Sequence, residues 1–142
     1  MKKRYGILSM LCLLFAVFLA LFQIYTQHSG WALVYLLLSA ASGLMIVLAF
    51  CTKCPVKSDC AHVLPGRTAR LFKDRNPGPY TRSELLITFI GMGMIILFPQ
   101  IWLIHNLIHL FLFWLLTIIG LILIVRKICH SCGNIDCPFH SS

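Results

Sequence analysis

The sequence predicts an all-α integral membrane protein of four transmembrane helices, arranged as two tandem parallel hairpin repeats, each followed by a cytoplasmic Cys3His loop. Three observations predict it. Hydrophobic residues make up 59% of the 142 residues and charged residues only 11%, where a soluble domain carries about 25% charged residues. The apolar residues fall into four long runs. A pattern of cysteine and histidine recurs in the same place after each pair of runs.

The runs are 7–25, 31–50, 85–104 and 107–125, and none contains Asp, Glu, Lys or Arg. Each is about 20 residues, the length that crosses roughly 30 Å of hydrocarbon as a helix. Lipid offers no hydrogen-bond partner, so a spanning segment must satisfy its backbone internally, as a helix does. The last two runs almost merge. One helix over 85–125 would be about 60 Å long, twice the membrane, so the chain must turn. His105-Asn106 leaves two spans of equal length, whereas a turn at Pro99-Gln100 leaves the third span short. Pro99 is therefore read as a kink within a helix.

The twelve Lys and Arg residues set the orientation. They lie before the first run (Lys2, Lys3, Arg4), between the second and third (Lys53, Lys57, Arg67, Arg70, Lys73, Arg75, Arg82) and after the fourth (Arg126, Lys127). The short connections at 26–30 and 105–106 have none. The positive-inside rule then makes both termini and the middle segment cytoplasmic in an inner or plasma membrane. The start resembles a signal peptide, but its apolar run exceeds a typical h-region and no small-x-small site follows Phe22, so it is expected to remain as a span. The net charge of +8 is accounted for by topology and by attraction to anionic head groups. Nucleic-acid binding is not needed to explain it.

Sliding the chain along itself at one constant offset lays Gln23-Ile24 on Gln100-Ile101, His28 on His105 and Gly43-Leu44 on Gly120-Leu121. The cysteines follow within one residue of that offset. Cys51-x2-Cys54-x5-Cys60-x-His62 answers to Cys129-x2-Cys132-x4-Cys137-x2-His140. Residues 1–62 form the first repeat and 84–142 the second, with the clusters at 51–62 and 129–140. A basic linker, 63–83, joins them. Its Pro- and Gly-containing stretches are turn formers, and a solvated linker is favoured there over a short basic surface helix at 68–74. Both halves begin and end on the same side, so they are parallel repeats related by a pseudo-twofold axis along the membrane normal. Gly43, Gly91, Gly93 and Gly120, with Ser39 and Ser42, are candidates for close helix contact.

Cysteines facing a reducing compartment favour metal over disulfide. C-x2-C lets two thiolates grip one centre from a tight turn, and a third Cys with a His completes four ligands. Cys51, Cys54, Cys60 and His62, with Cys129, Cys132, Cys137 and His140, are the candidate metal ligands. Two iron–sulfur clusters of the [4Fe–4S] kind are the favoured cofactors, with two zinc ions as the alternative. The pairs Cys54-Pro55 and Cys137-Pro138 favour iron–sulfur, and the compact Cys3His set suits zinc. In placing Cys-Pro pairs after helix hairpins the chain resembles membrane-bound polyferredoxin-type proteins. Their cysteine spacing differs, and the resemblance covers only topology and one dipeptide. Cys12, inside the first span, is a packing residue. Asp59 and Asp136, each before a third Cys, are read as loop aspartates that bond local N–H groups.

His28 and His105 occupy equivalent outer turns, and His109 lies one helical turn beyond His105. These three are the candidate outer-side ligand or quinone contacts, with Gln23 and Gln100 nearby. Tyr25, Trp31, Tyr80 and Trp102 are read as interface anchors and Trp114 as packing. The expected function is electron transfer between a cytoplasmic redox protein and a quinone or larger membrane complex, as a component rather than a stand-alone enzyme. The basic middle segment would steer an acidic partner. A zinc-stabilised scaffold is the first alternative, and a soft-metal transporter or thiol relay the second. No hydrolase triad, phosphate loop or paired carboxylates are visible.

Overall fold

The computed structural model describes residues 2–56, 60, 63–72, 78–130, 132, 134 and 137. Among them the elements are helical and there is no strand. They are α1 (Lys2–Gln27), α2 (Ser29–Ala49), α3 (Val63–Ala69), α4 (Arg82–Leu97), α5 (Gln100–Leu103) and α6 (Leu107–Leu123). A 3-10 turn at Cys51–Lys53 follows α2, and a π-helical turn at Ile124–Cys129 continues α6. Four segments are long and apolar enough to span a bilayer. Lys3–Gln27 and Ser29–Lys53 have 25 residues each, Arg82–Leu103 has 22 and Leu107–Cys129 has 23.

The exteriors of these helices are apolar. Phe18, Ile101 and Phe111 are each 67% exposed. Water would penalise such a surface and lipid does not, so the helices suit a bilayer. Several hydroxyls in the spans turn back onto their own helices. The hydroxyls of Ser9, Thr52, Thr88 and Thr117 donate to the carbonyls of Gly6, Leu48, Glu84 and Phe113. These four hydroxyls are thereby satisfied without crossing lipid.

α1 packs on α6 and on α2, and α2 packs on α4. α1 and α6 come close at Gly120, where a β-carbon would lie 3.0 Å from the Leu13 side chain and 3.4 Å from the Ser9 carbonyl. α2 and α4 come close at Gly91, where it would lie 3.1 Å from Ile46 and 3.3 Å from the Ser42 carbonyl. Gly43 and Gly93, also candidates for close contact, face open space instead. The core lies towards the end with the short turns. Ala16, Ala20 and Ile24, one stripe of α1, meet Ala32, Tyr35, Trp102, Leu103 and Phe113 there.

Pro99 interrupts the third span without reversing it. It has no N–H to give the Ile95 carbonyl, which an uninterrupted helix would supply. The Tyr35 hydroxyl of α2 donates to that carbonyl at 3.1 Å, and its ring stacks on Phe98 at 5.8 Å. α5 resumes for one turn, and the chain reverses at 104–106. Asn106 caps α6, its side-chain oxygen accepting from the N–H groups of Ile108 and His109. The short middle helix lies at Val63–Ala69 rather than over 68–74. Pro65 is tolerated because first-turn N–H groups lack helical acceptors anyway.

Candidate metal centre at the basic end

Each C-x2-C segment sits where a spanning helix runs out. α2 stops at Phe50, and the Cys54 N–H donates to the Cys51 carbonyl at 3.2 Å. Beyond α6 the Cys132 N–H donates to the Cys129 carbonyl at 3.1 Å. Both segments therefore make the same i to i+3 turn, which holds the first and last α-carbons within about 7 Å. Two thiols are presented from one short arc. A third turn of this kind, Cys137 N–H to the Asn134 carbonyl at 3.3 Å, positions the last cysteine.

The π-helical turn has a counterpart in the sequence. Between Gly120 and Cys129 the second half carries one more residue than the first does between Gly43 and Cys51. A π turn closes i to i+5 and takes up one extra residue. His130 N–H donates to the Val125 carbonyl at 3.2 Å in this way. The surplus residue is absorbed in the winding, and Cys129 still leaves the helix at its end.

Several groups tie the two modules together. Glu84 and Thr81 form a capping box at the start of α4. Glu84 accepts from Lys53 at 3.0 Å, and Lys53 also donates to the Pro79 carbonyl at 2.8 Å. Gly78, at φ 153°, adopts a backbone conformation that side chains disfavour and leads into Pro79. Tyr80 stacks on Phe50 at 4.2 Å and its hydroxyl donates to the Phe50 carbonyl at 3.3 Å. Asn134, 3% exposed, donates from Nδ2 to the Tyr80 hydroxyl at 3.4 Å and to Cys54 Sγ at 3.7 Å.

Cys51 lies within electrostatic range of Cys60 and Cys54. Cys129 lies within range of Cys137, Cys132 and, from the other half, Cys60. The Tyr80 phenol is held protonated well above its usual range by burial, then by Cys54 and Cys137; the Asn134 bond opposes this. Each of these six cysteines is half-buried and none of the seven forms a disulfide. Cys12 stays apart in α1. Among the described residues no three Cys, His, Asp or Glu side chains close to metal-binding distances. The candidate ligands His62 and His140, with Asp59 and Asp136, lie outside the described residues.

The sequence reading missed Tyr80 and Asn134 as parts of this neighbourhood. Tyr80, read as an interface anchor, also joins Phe50 of the first half to Asn134 of the second. Its position after Asn76-Pro77-Gly78-Pro79 was a turn signal but named no contact. Lys53 is engaged with Glu84, and among the described residues of the middle segment Arg67, Arg70 and Arg82 are exposed.

At the opposite end the histidines separate. His28 and His105 line one open cleft of about 470 Å³ with Gln27, Trp31, Phe98, Ile101 and Trp102. His109 turns to α1, where Nδ1 meets Gln23 Oε1 at 2.5 Å. Gln100 donates to the Ile96 carbonyl at 2.6 Å and accepts from the Trp114 indole at 3.2 Å. The two repeat-matched glutamines thus both join their helices to α6 and stand outside the cleft lining.

Comparison with known proteins returned no match: no family model, no curated protein and no solved structure is significantly similar to the chain.

Proposed function

We propose that this is a multi-pass membrane protein whose basic, cysteine-bearing end is cytoplasmic and holds iron–sulfur centres. These centres pass electrons between a cytoplasmic redox protein and the membrane or a larger membrane complex. The observation that carries the reading is the pair of matching C-x2-C turns, each where a spanning helix runs out at the basic end of the bundle. Thiolates in that number suit thiophilic iron or zinc. The placement of all basic segments at that end supports its cytoplasmic side.

Two parallel repeats are supported by the packing. A twofold along the membrane normal exchanges α1 with α4 and α2 with α6, so it carries the α1–α6 contact onto the α4–α2 contact. Those are the two pairs that cross closely at glycine. Iron–sulfur is preferred to structural zinc because the capping box, the Lys53–Glu84 pair and the Phe50–Tyr80 stack already hold this end together. A quinone in the cleft of His28 and His105 would lie a membrane thickness, about 30 Å, from the cysteines. Direct exchange with a quinone therefore belongs at the basic end.

The test is metal and acid-labile sulfide content, with a visible spectrum, on protein purified without oxygen. Several irons with matching sulfide and broad visible absorption are expected of thiolate-bound clusters. About two zincs with a blank visible spectrum would replace electron transfer by the scaffold reading.

A further inference from the structure

On the basis of the iron–sulfur reading above, we infer that Asn134 is a tuning residue: its side-chain amide hydrogen-bonds the sulfur of Cys54 and sets the reduction potential of the centre that Cys54 helps to hold. Asn134 is 3% exposed and lies between the last two cysteines of the second module. The Cys137 N–H donates to its carbonyl at 3.3 Å, so the turn that carries Cys137 also places Asn134. Its Nδ2 lies 3.7 Å from Cys54 Sγ and 3.4 Å from the Tyr80 hydroxyl. Tyr80 decides which way round the amide stands. The hydroxyl proton is given to the Phe50 carbonyl at 3.3 Å, so towards Asn134 the oxygen acts as an acceptor. Turning the amide over would set its carbonyl oxygen against that acceptor, a costly contact in a buried place. Nitrogen therefore faces both Tyr80 and Cys54, with one amide hydrogen for each. The Tyr80 ring is fixed in turn by its stack on Phe50 at 4.2 Å. Donor, sulfur and orienting hydroxyl come from three separate segments of the chain.

An iron–sulfur centre would take one electron from the cytoplasmic redox protein and hand the same electron on, with no bond formed or broken. The added charge spreads onto the ligating sulfurs. A hydrogen-bond donor facing one of them stabilises the reduced form more than the oxidised form, which raises the potential. The effect is larger in a partly dry place than in water. Because the donor belongs to the second module and the sulfur to the first, the potential of the first centre follows the position of the second loop. Neighbouring loops suffice for this, and each module keeps its own ligands.

The test is a redox titration of the full-length protein in detergent, purified without oxygen and followed by its visible and electron paramagnetic resonance spectra. Asn134→Ala is expected to shift one midpoint potential downward and leave the other in place. The shift is about threefold to tenfold in the redox equilibrium constant, which is about 30–60 mV for a one-electron couple. Asn134→Asp sets a carboxylate against the sulfur and is expected to lower the potential further. Tyr80→Phe keeps the ring stack and the amide but removes the orienting hydroxyl, so a smaller shift in the same direction is expected. A purely structural asparagine would cost iron content or stability without moving the potential of the centres that form. That outcome overturns the inference and leaves the iron–sulfur reading standing, whereas wild type without iron and sulfide overturns both. Should the Asn134 variants assemble no centre, asparagine labelled with nitrogen-15 in its amide, in an Asn76→Ser background, reports on the bond directly. Asn106 caps α6 at the opposite end, so a nitrogen-15 coupling to the reduced centre in pulsed resonance spectra is expected from Asn134, and its absence overturns the inference.

Discussion

Tyr35 shows how a single hydroxyl can complete a helix to which it does not belong. Pro99 removes the donor owed to Ile95, and the hydroxyl supplies one from α2. In Tyr35→Phe the stack on Phe98 survives and only the hydrogen bond is lost. Interhelical bonds in membranes are worth about 0.6 kcal/mol on average, and an unsatisfied buried carbonyl costs about 1–3 kcal/mol. We expect a loss of about 1 kcal/mol, read as a lower unfolding midpoint in detergent. Glu84 is the second residue with a determinable cost. Its carboxylate caps α4 and faces Lys53, and both side chains are largely buried, 7% and 12% exposed. Glu84→Gln keeps the shape and strands the ammonium, so a loss of about 3 kcal/mol is expected. Adding Lys53→Met should recover part of it, because the unpaired charge goes too. If the double variant is no more stable than Glu84→Gln, the cost lies in the cap and not in the pair.

At the scale of elements, the π-helical turn at Ile124–Cys129 controls where the second module points. Inserting an alanine after Val125 adds a second surplus residue that the one π turn does not absorb, which swings everything beyond it by about 100°. Helical content by circular dichroism should stay near wild type while metal bound through Cys129 and Cys132 falls. Unchanged metal binding would mean that the loop, not the helix end, sets the position of the cysteines. The four spans were legible because a bilayer imposes one length and one polarity on every helix. The turn at 104–106 was legible for the same reason, since one helix over 85–125 is too long. The π turn was visible only as a one-residue slip between Cys51 and Cys129. Nothing local in Ile-Val-Arg-Lys-Ile-Cys announces it. The contact of Asn134 with Cys54 spans 80 positions, and its donor is a loop asparagine with an ordinary local role. Such a contact depends on how α1, α2 and α6 dock, which hydropathy does not encode. The glycines show the same limit. Gly91 and Gly120 meet a neighbouring helix and Gly43 and Gly93 do not, although all four lie in similar apolar sequence.

For the whole molecule, the two ends are closed by different chemistry. The end with short turns is joined by rings, Trp31, Phe98 and Trp102 lying 5.3–6.3 Å apart, with the Gln23–His109 bond beside them. The basic end is joined by ions, amides and thiols. If that end is cytoplasmic, a membrane-impermeant thiol reagent should label the metal-free protein in inverted vesicles and leave it unlabelled in intact cells. The reverse pattern would invert the topology. The lengths of the spans carry a further consequence. The helices of the first hairpin have 25 residues in each arm and those of the second 22 and 23, yet the apolar runs within them are 19 or 20 residues each. One hydrocarbon thickness therefore suits both hairpins. Because α1 and α2 lean on α6 and α4, a thinner bilayer would tilt the two hairpins together.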